Sequence, residues 1–297
     1  VYLVDNLPNP TPPGGIRSET SFGRLLPSTG IQASWPLART DDWGTHVFEP
    51  ITQFVIRANE THLADVANED AMSLNFEVSN AFEPDKYSGI DRYDEGIRAN
   101  VGGRYTLADT TGGTLTAAAA QSFHVGNSNG FMSTSGLGSD ASDYVTSISY
   151  QNDSVRAGWR ARLDEDDLSV NVSEISLAAN YGAIRVRGAY SYVDKAANQL
   201  APVTTEEIAG GGSVQLYENW SVNGGATYNL ATNSMIKDYV GLGYDDECFA
   251  VDLTFSESFF VDRDIQPDQS VMLTVSLKSI GSTSLSQSFG ENNDSVF

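Results

Sequence analysis

The pentapeptide Gly-Asn-Ser-Asn-Gly, from Gly126 to Gly130, has the G-x-S-x-G spacing of a serine nucleophile. In that motif the serine occupies a sharp turn between a strand and a helix, where its hydroxyl is exposed for attack. Here the pentapeptide lies between two segments that alternate as strands do, so the helix that the motif needs is missing. We therefore predict no hydrolase and no other enzymatic activity.

The residues that could ligate a metal ion lack the spacing of a metal site. His46, His62 and His124 are scattered along the chain, which disfavours zinc. The acidic runs from Leu163 to Asp167 and from Gly243 to Glu247 could attract calcium, but neither has the EF-hand order of ligands and glycine. We predict solvated turns, no metal and no cofactor.

Cys248 is the only cysteine, so no disulfide can form within this chain. Two interpretations stay open at this point. Either the thiol bonds to a cysteine outside the chain, or it is inert.

The composition limits the classes of function. With 17 Lys and Arg against 39 Asp and Glu the net charge is −22, which disfavours nucleic acid as a partner because phosphate binding needs clustered cations. A hydrophobic share of 40% excludes a disordered chain. The sequence has no run of 18 apolar residues, so we predict no transmembrane helix. The chain begins like the end of a strand and without a signal peptide, so we expect a fragment of a longer precursor.

Strict alternation of apolar and polar residues recurs from residue 95 onward, and this period of two predicts strands with two unlike faces. Between Glu95 and Leu107, for example, Ile97, Ala99 and Val101 share one face, and Arg98 and Asn100 share the other. About eleven antiparallel strands are predicted, at 95–107, 114–125, 143–150, 154–164, 168–181, 183–193, 206–217, 220–230, 235–245, 249–256 and 271–278. The apolar phase slips by one residue between Val172 and Ile175, which predicts a bulge.

The chain divides into three parts by regularity. Seven of the ten prolines lie in the first fifty residues, so we predict irregular loops and short strands over 1–94. A regular antiparallel meander is expected over 95–281, and a tail over 282–297.

The polar faces of the predicted strands distinguish a membrane barrel from a soluble all-β domain. They carry few of the Lys and Glu residues of a soluble surface. Seven of the 17 basic residues lie there instead, which favours the wet lumen of a membrane barrel with internal ion pairs. These residues are Arg98, Arg104, Arg156, Arg160, Arg162, Arg185 and Arg187. Aromatic residues near the strand ends of the apolar face, such as Tyr181 and Trp220, are typical of an interfacial girdle. A soluble all-β domain is the alternative.

Several segments also resemble the LptD family of outer-membrane lipopolysaccharide-assembly proteins, especially its alphaproteobacterial members. The similar segments occur in the family's order, and they are Gly30 to Thr40, Val47 to Phe54, Asn68 to Ala71, Tyr87 to Tyr105, Gly241 to Phe255 and Asp262 to Gly281. They cover the chain from about residue 25 to residue 281.

The resemblance implies the C-terminal part of a large transmembrane β-barrel in the bacterial outer membrane, surrounded by its lipids. The implied function is the transport of lipopolysaccharide into the outer leaflet, without catalysis. Its implied partners are a plug lipoprotein of the LptE type and, through an N-terminal domain absent from this sequence, a periplasmic bridge protein. A porin-like channel and a secreted β-rich adhesion module are the alternatives.

The resemblance also implies two functional positions. Cys248 lies where the family has cysteines that bond to the N-terminal periplasmic domain. The strand from Gln269 to Ile280 is expected to be the last regular one and to form a lateral seam for lipid exit, with Val271, Leu273, Val275 and Leu277 as its apolar residues.

Overall fold

The structure, a computed structural model, describes residues 2–4, 20–22, 25–58, 75–87, 89–126, 129–199, 202–261, 266–278 and 281–288. The predictions for His62, for the similar segment Asn68 to Ala71 and for residues 289–297 of the tail fall outside this part of the chain. Among the described residues, no helix has the length and hydropathy needed to cross a bilayer.

Antiparallel β-structure accounts for the fold of the described residues, apart from one 3₁₀ turn at Ser133–Ser135. The strands are β1 Tyr2–Val4, β2 Thr20–Phe22, β3 Ser28–Ser34, β4 Leu37–Asp41, β5 Gly44–Arg57, β6 Gly96–Asp109, β7 Thr114–Val125, β8 Tyr144–Gln151, β9 Val155–Leu163, β10 Val170–Tyr181, β11 Ile184–Val193, β12 Thr205–Gln215, β13 Trp220–Asn229, β14 Ser234–Asp245, β15 Phe249–Ser258, β16 Asp268–Leu277 and β17 Gly281–Ser288. The first two pair with each other, and the other fifteen form one sheet. The predicted all-β, antiparallel fold class is confirmed.

From β5 to β17 the sheet is a meander in which each strand pairs with the next. Each of the eleven strands expected between residues 95 and 278 is present, β6 to β16, and β7 has the predicted bounds of Thr114–Val125. A register shift between Val170 and Val172 adjoins the predicted bulge. The sheet is open in the described part of the chain, since β3 and β17 are its edges.

The sheet begins well before residue 95, within the part of the chain where we predicted irregular loops and short strands. Strand β5 has 14 residues, although Pro50 lies within it. Pro50 stands where the outer partner of β5 changes, because β3 ends opposite Ile51 and β4 begins opposite Phe48. Proline has no backbone N–H to donate, and this is tolerated at a break between two outer partner strands. Strand β5 therefore continues through Pro50.

The predicted tail is corrected, because β17 pairs along the outer edge of β16. Val275 lies opposite Thr283, and Leu273 lies opposite Leu285. Strand β16 is therefore not the last strand of the sheet, and it cannot be the seam that we predicted. The sequence of β17 is rich in serine and has one large apolar residue, Leu285, so the test for alternation did not find it.

The two faces of the sheet differ in chemistry as the alternation requires. On the apolar face, Leu253 lies opposite Leu273, and Trp220 lies opposite Tyr244 with 5.0 Å between ring centroids. Large apolar side chains on this face are exposed, among them Tyr181 at 85% and Val240 at 55%. This exposed face has no protein layer on it in the described residues.

The connections at the two ends of the sheet differ in length. One end has short turns, including 152–154 and 246–248. The other end has the long connections β5–β6, β7–β8 and β11–β12, together with the β9–β10 turn. We call these the short-turn end and the long-loop end.

Residues 75–87, 89–94 and 129–143, from two of the long connections, fold back onto the polar face and form what we call the inner layer. Phe76, Phe131 and Leu137 of this layer pack with Ala120 of β7 and Val145 of β8 in a small buried core. The Tyr87 and Phe131 rings stack with centroids 4.5 Å apart. The hydrophobic core thus lies between the inner layer and the polar face, and the apolar face contributes nothing to it.

Candidate functional site

The register places the seven predicted arginines on the polar face of β6, β9 and β11. They differ in environment. Arg98 and Arg162 are 3% exposed beneath the inner layer. Arg160 is exposed but contacts the inner layer, and the other four, Arg104, Arg156, Arg185 and Arg187, are exposed. That this face lines a lumen remains a prediction.

Asp94 of the inner layer neutralises two buried arginines of the sheet. Arg98 Nε donates to both Asp94 oxygens, at 2.8 and 3.0 Å. Nη1 of Arg57, on β5, lies 3.2 Å from Asp94 Oδ2 and also donates to the Asp94 backbone carbonyl at 2.8 Å. The side chains are 1–3% exposed. Because removal of two cations from water is costly, this carboxylate is what makes burial of the pair tolerable.

A second buried cluster joins the inner layer to β9 and β10. Arg162 lies 3.1 Å from Asp143 Oδ2, and its guanidinium donates to the backbone carbonyls of Ser135 and Thr134. Burial raises the pKa of the Asp143 carboxyl to about 7, aided by its hydrogen bond with Glu165. The same hydrogen bond lowers the pKa of Glu165. Asp143 therefore holds the shared proton and donates it towards the Glu165 carboxylate.

The acidic run from Leu163 to Asp167 contributes to this cluster. Ligand atoms of Asp143, Asp164 and Glu165 lie within 4.8 Å of one another. Arg162 and the shared proton offset two of their three negative charges, and we assign no metal to them. The second acidic run lies at the short-turn end, where Asp246 accepts hydrogen bonds from the backbone N–H groups of Cys248 and Phe249.

Arg160 links the inner layer to the sheet in a more exposed setting. It pairs with Glu174 of β10 and, through Nη1, with Glu77 of the inner layer at 3.0 Å. Gln53 makes a further neutral link, because its amide donates to the Phe82 carbonyl at 2.7 Å. Burial lowers the pKa of Lys86 to about 8, and its ammonium donates to two backbone carbonyls.

The remaining four arginines form no ion pair within the described residues, although Arg104 of β6 lies opposite Glu49 of β5. Arg187 Nη2 donates to the hydroxyl of Tyr239 at 2.9 Å, a contact that spans three strands. For Arg104, Arg156 and Arg185, the described part of the chain provides no ion pair.

The other predicted residues lie apart. His46 bonds to Tyr105 and Asp41 on the apolar side of β5, whereas His124 is buried on the polar face of β7. Cys248 is exposed and free in the β14–β15 turn. Val271, Leu273, Val275 and Leu277 share the apolar face of β16, where they oppose Phe255, Leu253, Val251 and Phe249.

Asp94, Asp143 and the inner layer were missed by reasoning from the sequence. Asp94 lies in a segment without periodicity and Asp143 begins the predicted strand 143–150, but nothing in their spacing indicates that they meet arginines of the sheet. Phe76, Phe131 and Leu137 were the available signal, because isolated large apolar residues among turn formers need a surface to pack on.

A family described as "LptD: LPS transport system D" matches residues 1–220 of the chain. The LPS-assembly protein LptD of Haemophilus influenzae (strain ATCC 51907 / DSM 11121 / KW20 / Rd) is 22% identical over 293 residues, which cover 89% of this chain and 38% of that protein. LptD of H. influenzae strain 86-028NP has the same identity and coverage. The chain thus spans about two fifths of the length of these relatives.

Solved structures similar to this one include porins. A mutant of the Rh. blastica porin is 12% identical with a TM-score of 0.35, and the match covers 68% of this chain and 89% of the porin. A BenF-like porin from Pseudomonas fluorescens Pf-5 is 13% identical with a TM-score of 0.34, over 98% of this chain and 91% of the porin.

We predict that Asp94→Asn destabilises the full-length protein, because it leaves Arg57 and Arg98 buried without a counter-charge. The expected loss in the free energy of unfolding is about 3–5 kcal/mol, measured by urea unfolding in detergent. Glu77→Gln is the matched control, since it breaks the more exposed link to Arg160 and should cost less than about 1 kcal/mol. Equal losses in the two variants would show that Asp94 does not carry this role.

We also predict that attachment of residues 129–143 weakens as pH rises. The folded Asp143 carboxyl titrates near pH 7 and the unfolded one near 3.8, so the folded state holds an extra proton between these values. Its contribution to stability is complete below pH 3.8 and is lost by about pH 7. Hydrogen-exchange protection factors in this segment should be roughly fivefold or more higher at pH 5 than at pH 8. Asp143→Asn should remove the difference, and persistence of the difference in that variant would assign it to another group.

Proposed function

The chain belongs to the LptD family, and on this premise we propose that the protein containing it delivers lipopolysaccharide to the outer leaflet. Membership in this family places the chain in the bacterial outer membrane, as predicted. The match to residues 1–220 is the observation that carries the proposal.

We propose that the open sheet is one part of a larger barrel that the rest of the protein completes. An unpaired backbone N–H or C=O group in a bilayer costs several kcal/mol. The edges at β3 and β17 would expose rows of such groups in lipid. Since the chain corresponds to 38% of the length of its relatives, the missing part is long enough to supply the remaining strands.

The two faces of the sheet suit the transport of an amphiphile. The apolar face, with residues such as Val222 and Leu253, would contact lipid tails, because its large apolar side chains are exposed. Asp238 and Glu257 lie opposite each other on this face, close to the long-loop end of β14 and β15. The polar face would line the lumen, where arginines and serines offer hydrogen bonds to sugars and glycines leave room for them. Transport of this kind needs no bond to form or break, and we assign no chemical step to the chain.

The unequal ends of the sheet suggest its orientation in the membrane. Outer-membrane barrels have short turns on the periplasmic side and longer loops outside. Cys248 lies at the short-turn end, which supports a disulfide to a periplasmic domain of the same protein. A plug lipoprotein of the LptE type and a periplasmic bridge protein are the proposed partners of the whole assembly.

The family match favours lipopolysaccharide transport over a porin-like channel or a secreted adhesion module. The test is depletion of the full-length protein in its own bacterium, with surface lipopolysaccharide measured by labelling of intact cells. We expect surface label to fall several-fold while newly made lipopolysaccharide accumulates inside, and expression of the wild-type protein should restore it.

Two other outcomes would contradict the proposal. Unchanged delivery after depletion excludes transport of lipopolysaccharide. A fall in uptake of small solutes with unchanged delivery would favour the channel instead. Levels of other outer-membrane barrels serve as the control for a general assembly defect.

A charge placed on the two faces should have unequal effects. Val222→Arg puts a cation on the proposed lipid face and should cost roughly 2–4 kcal/mol in folding into bilayers. Asn223→Arg, the adjacent residue on the polar face, should cost much less. Urea titrations of the full-length protein in vesicles measure both, and similar costs would contradict the assignment of the faces.

Cys248 should be oxidised in the full-length protein. Because the envelope is oxidising, a thiol at the periplasmic end can form the proposed bond. Maleimide should label Cys248 only after reduction, and Cys248→Ser should lower surface lipopolysaccharide with little change in circular dichroism. Labelling without reduction would support the alternative interpretation of a free thiol.

A further inference from the structure

The cations of the polar face fall into two groups. Arg57, Arg98, Arg160 and Arg162 have carboxylate partners, and all four pair with an acid of the inner layer. On β11 and β14, beyond the inner layer, Arg185, Arg187 and Lys237 are exposed and make no ion pair within the described residues. In a chain with a net charge of −22, three cations left without carboxylates call for a different counter-ion.

The register brings these cations around one aromatic side chain. Tyr239 of β14 lies in one cross-strand row with Gly225, Gly211 and Arg187. A Cβ atom on Gly225 would lie 2.8 Å from Tyr239 Cε1, and one on Gly211 would lie 3.0 Å from its hydroxyl oxygen. The two glycines therefore let the ring lie flat over two strands and reach the guanidinium of Arg187.

Two adjoining grooves meet at Arg187 and Tyr239. The first has a volume of about 410 Å³ and is lined by Arg185, Ser213 and Asn223 as well. The second, of about 260 Å³, includes Lys237. The first volume is within the range of small-ligand sites, about 300–1,000 Å³. Polar side chains and a flat aromatic ring suit the hydroxyls and the ring face of a sugar.

The inward-facing carboxylates of nearby strands are displaced from this site. Glu207 of β12 is four residues along its strand from Gly211, which is opposite Arg187. Asp252 of β15 is four residues from Ser256, which is opposite Tyr239. Each is thus two cross-strand rows from the row of Arg187 and Tyr239, although Glu207 is one row from that of Lys237 and Asp252 is one row from that of Arg185.

We infer that Arg185, Arg187 and Lys237, with Tyr239, form a binding site for a phosphate group carried on a saccharide. Guanidinium forks match phosphate oxygens in pairs, and the ammonium adds a point charge. The inference rests on the proposed function, since the phosphorylated sugars would belong to the transported lipid. By the orientation proposed above, Arg185 and Arg187 lie in the periplasmic half of the barrel, where the lipid would enter.

The test is calorimetric titration of the purified full-length protein with three probes. They are the deacylated, phosphorylated saccharide of lipopolysaccharide, the same saccharide after phosphatase treatment, and inorganic phosphate. The first should bind at least tenfold more tightly than the other two. The triple variant Arg185→Gln/Arg187→Gln/Lys237→Gln should lose tenfold or more in affinity for it. Arg104→Gln, which removes an exposed cation from the same face outside the site, should lose less than twofold.

Each alternative outcome overturns the inference. Unchanged affinity in the triple variant excludes the site, provided that its heat-modifiable mobility shows a folded barrel. An equal loss in Arg104→Gln shows a general effect of lumen charge, and equally tight inorganic phosphate excludes a saccharide site. If binding is lost in the triple variant but depletion leaves lipopolysaccharide delivery unchanged, the proposed function fails while the phosphate site stands. If depletion blocks delivery but the triple variant binds normally, only this inference fails.

Discussion

The structure depends above all on pairing of backbone N–H and C=O groups between neighbouring strands. In a bilayer this pairing leaves a helix or a continuous sheet as the available solutions, and the described residues form a sheet. Pairing makes no demand on side chains, so one face can be apolar and the other polar along the same strands. The separation of faces, and with it the proposed route for an amphiphile, follows from this one constraint.

The polar face creates a second problem, because buried cations need counter-charges. The arginines of strands β5, β6 and β9 pair with acidic residues of the long connections, and not only with acidic residues of a neighbouring strand. Asp94 meets Arg57 and Arg98, and Asp143 meets Arg162. The small apolar core around Leu137 then excludes water from these pairs. Electrostatics and packing thus fix the inner layer together, and neither element would hold it in place alone.

The alternation of residues predicted β6 to β16 well, since each of these strands has one apolar face whatever its partners are. It failed where that condition did not hold. Strand β17 has a single large apolar residue, Leu285, and is formed by pairing with β16. Strand β5 contains Pro50, whose effect depends on a break between two outer neighbours that no local pattern contains. The meeting of Asp94 with Arg57 joins residues 37 positions apart through a long connection, and spacing along a chain cannot predict such a contact.

The two halves of the polar face therefore have different physical characters. Beneath the inner layer, each charge has a partner, and rearrangement there would expose unpaired groups at high cost. Along β11 to β14 the face is open, its side chains are small around Tyr239, and its cations form no ion pair within the described residues. A surface that binds an anion and then releases it needs cations without fixed carboxylate partners. A cation that a fixed carboxylate already neutralises has little affinity for a further anion. In the proposed barrel the covered half would form a fixed wall, and the open half would keep its charge available for the proposed transport.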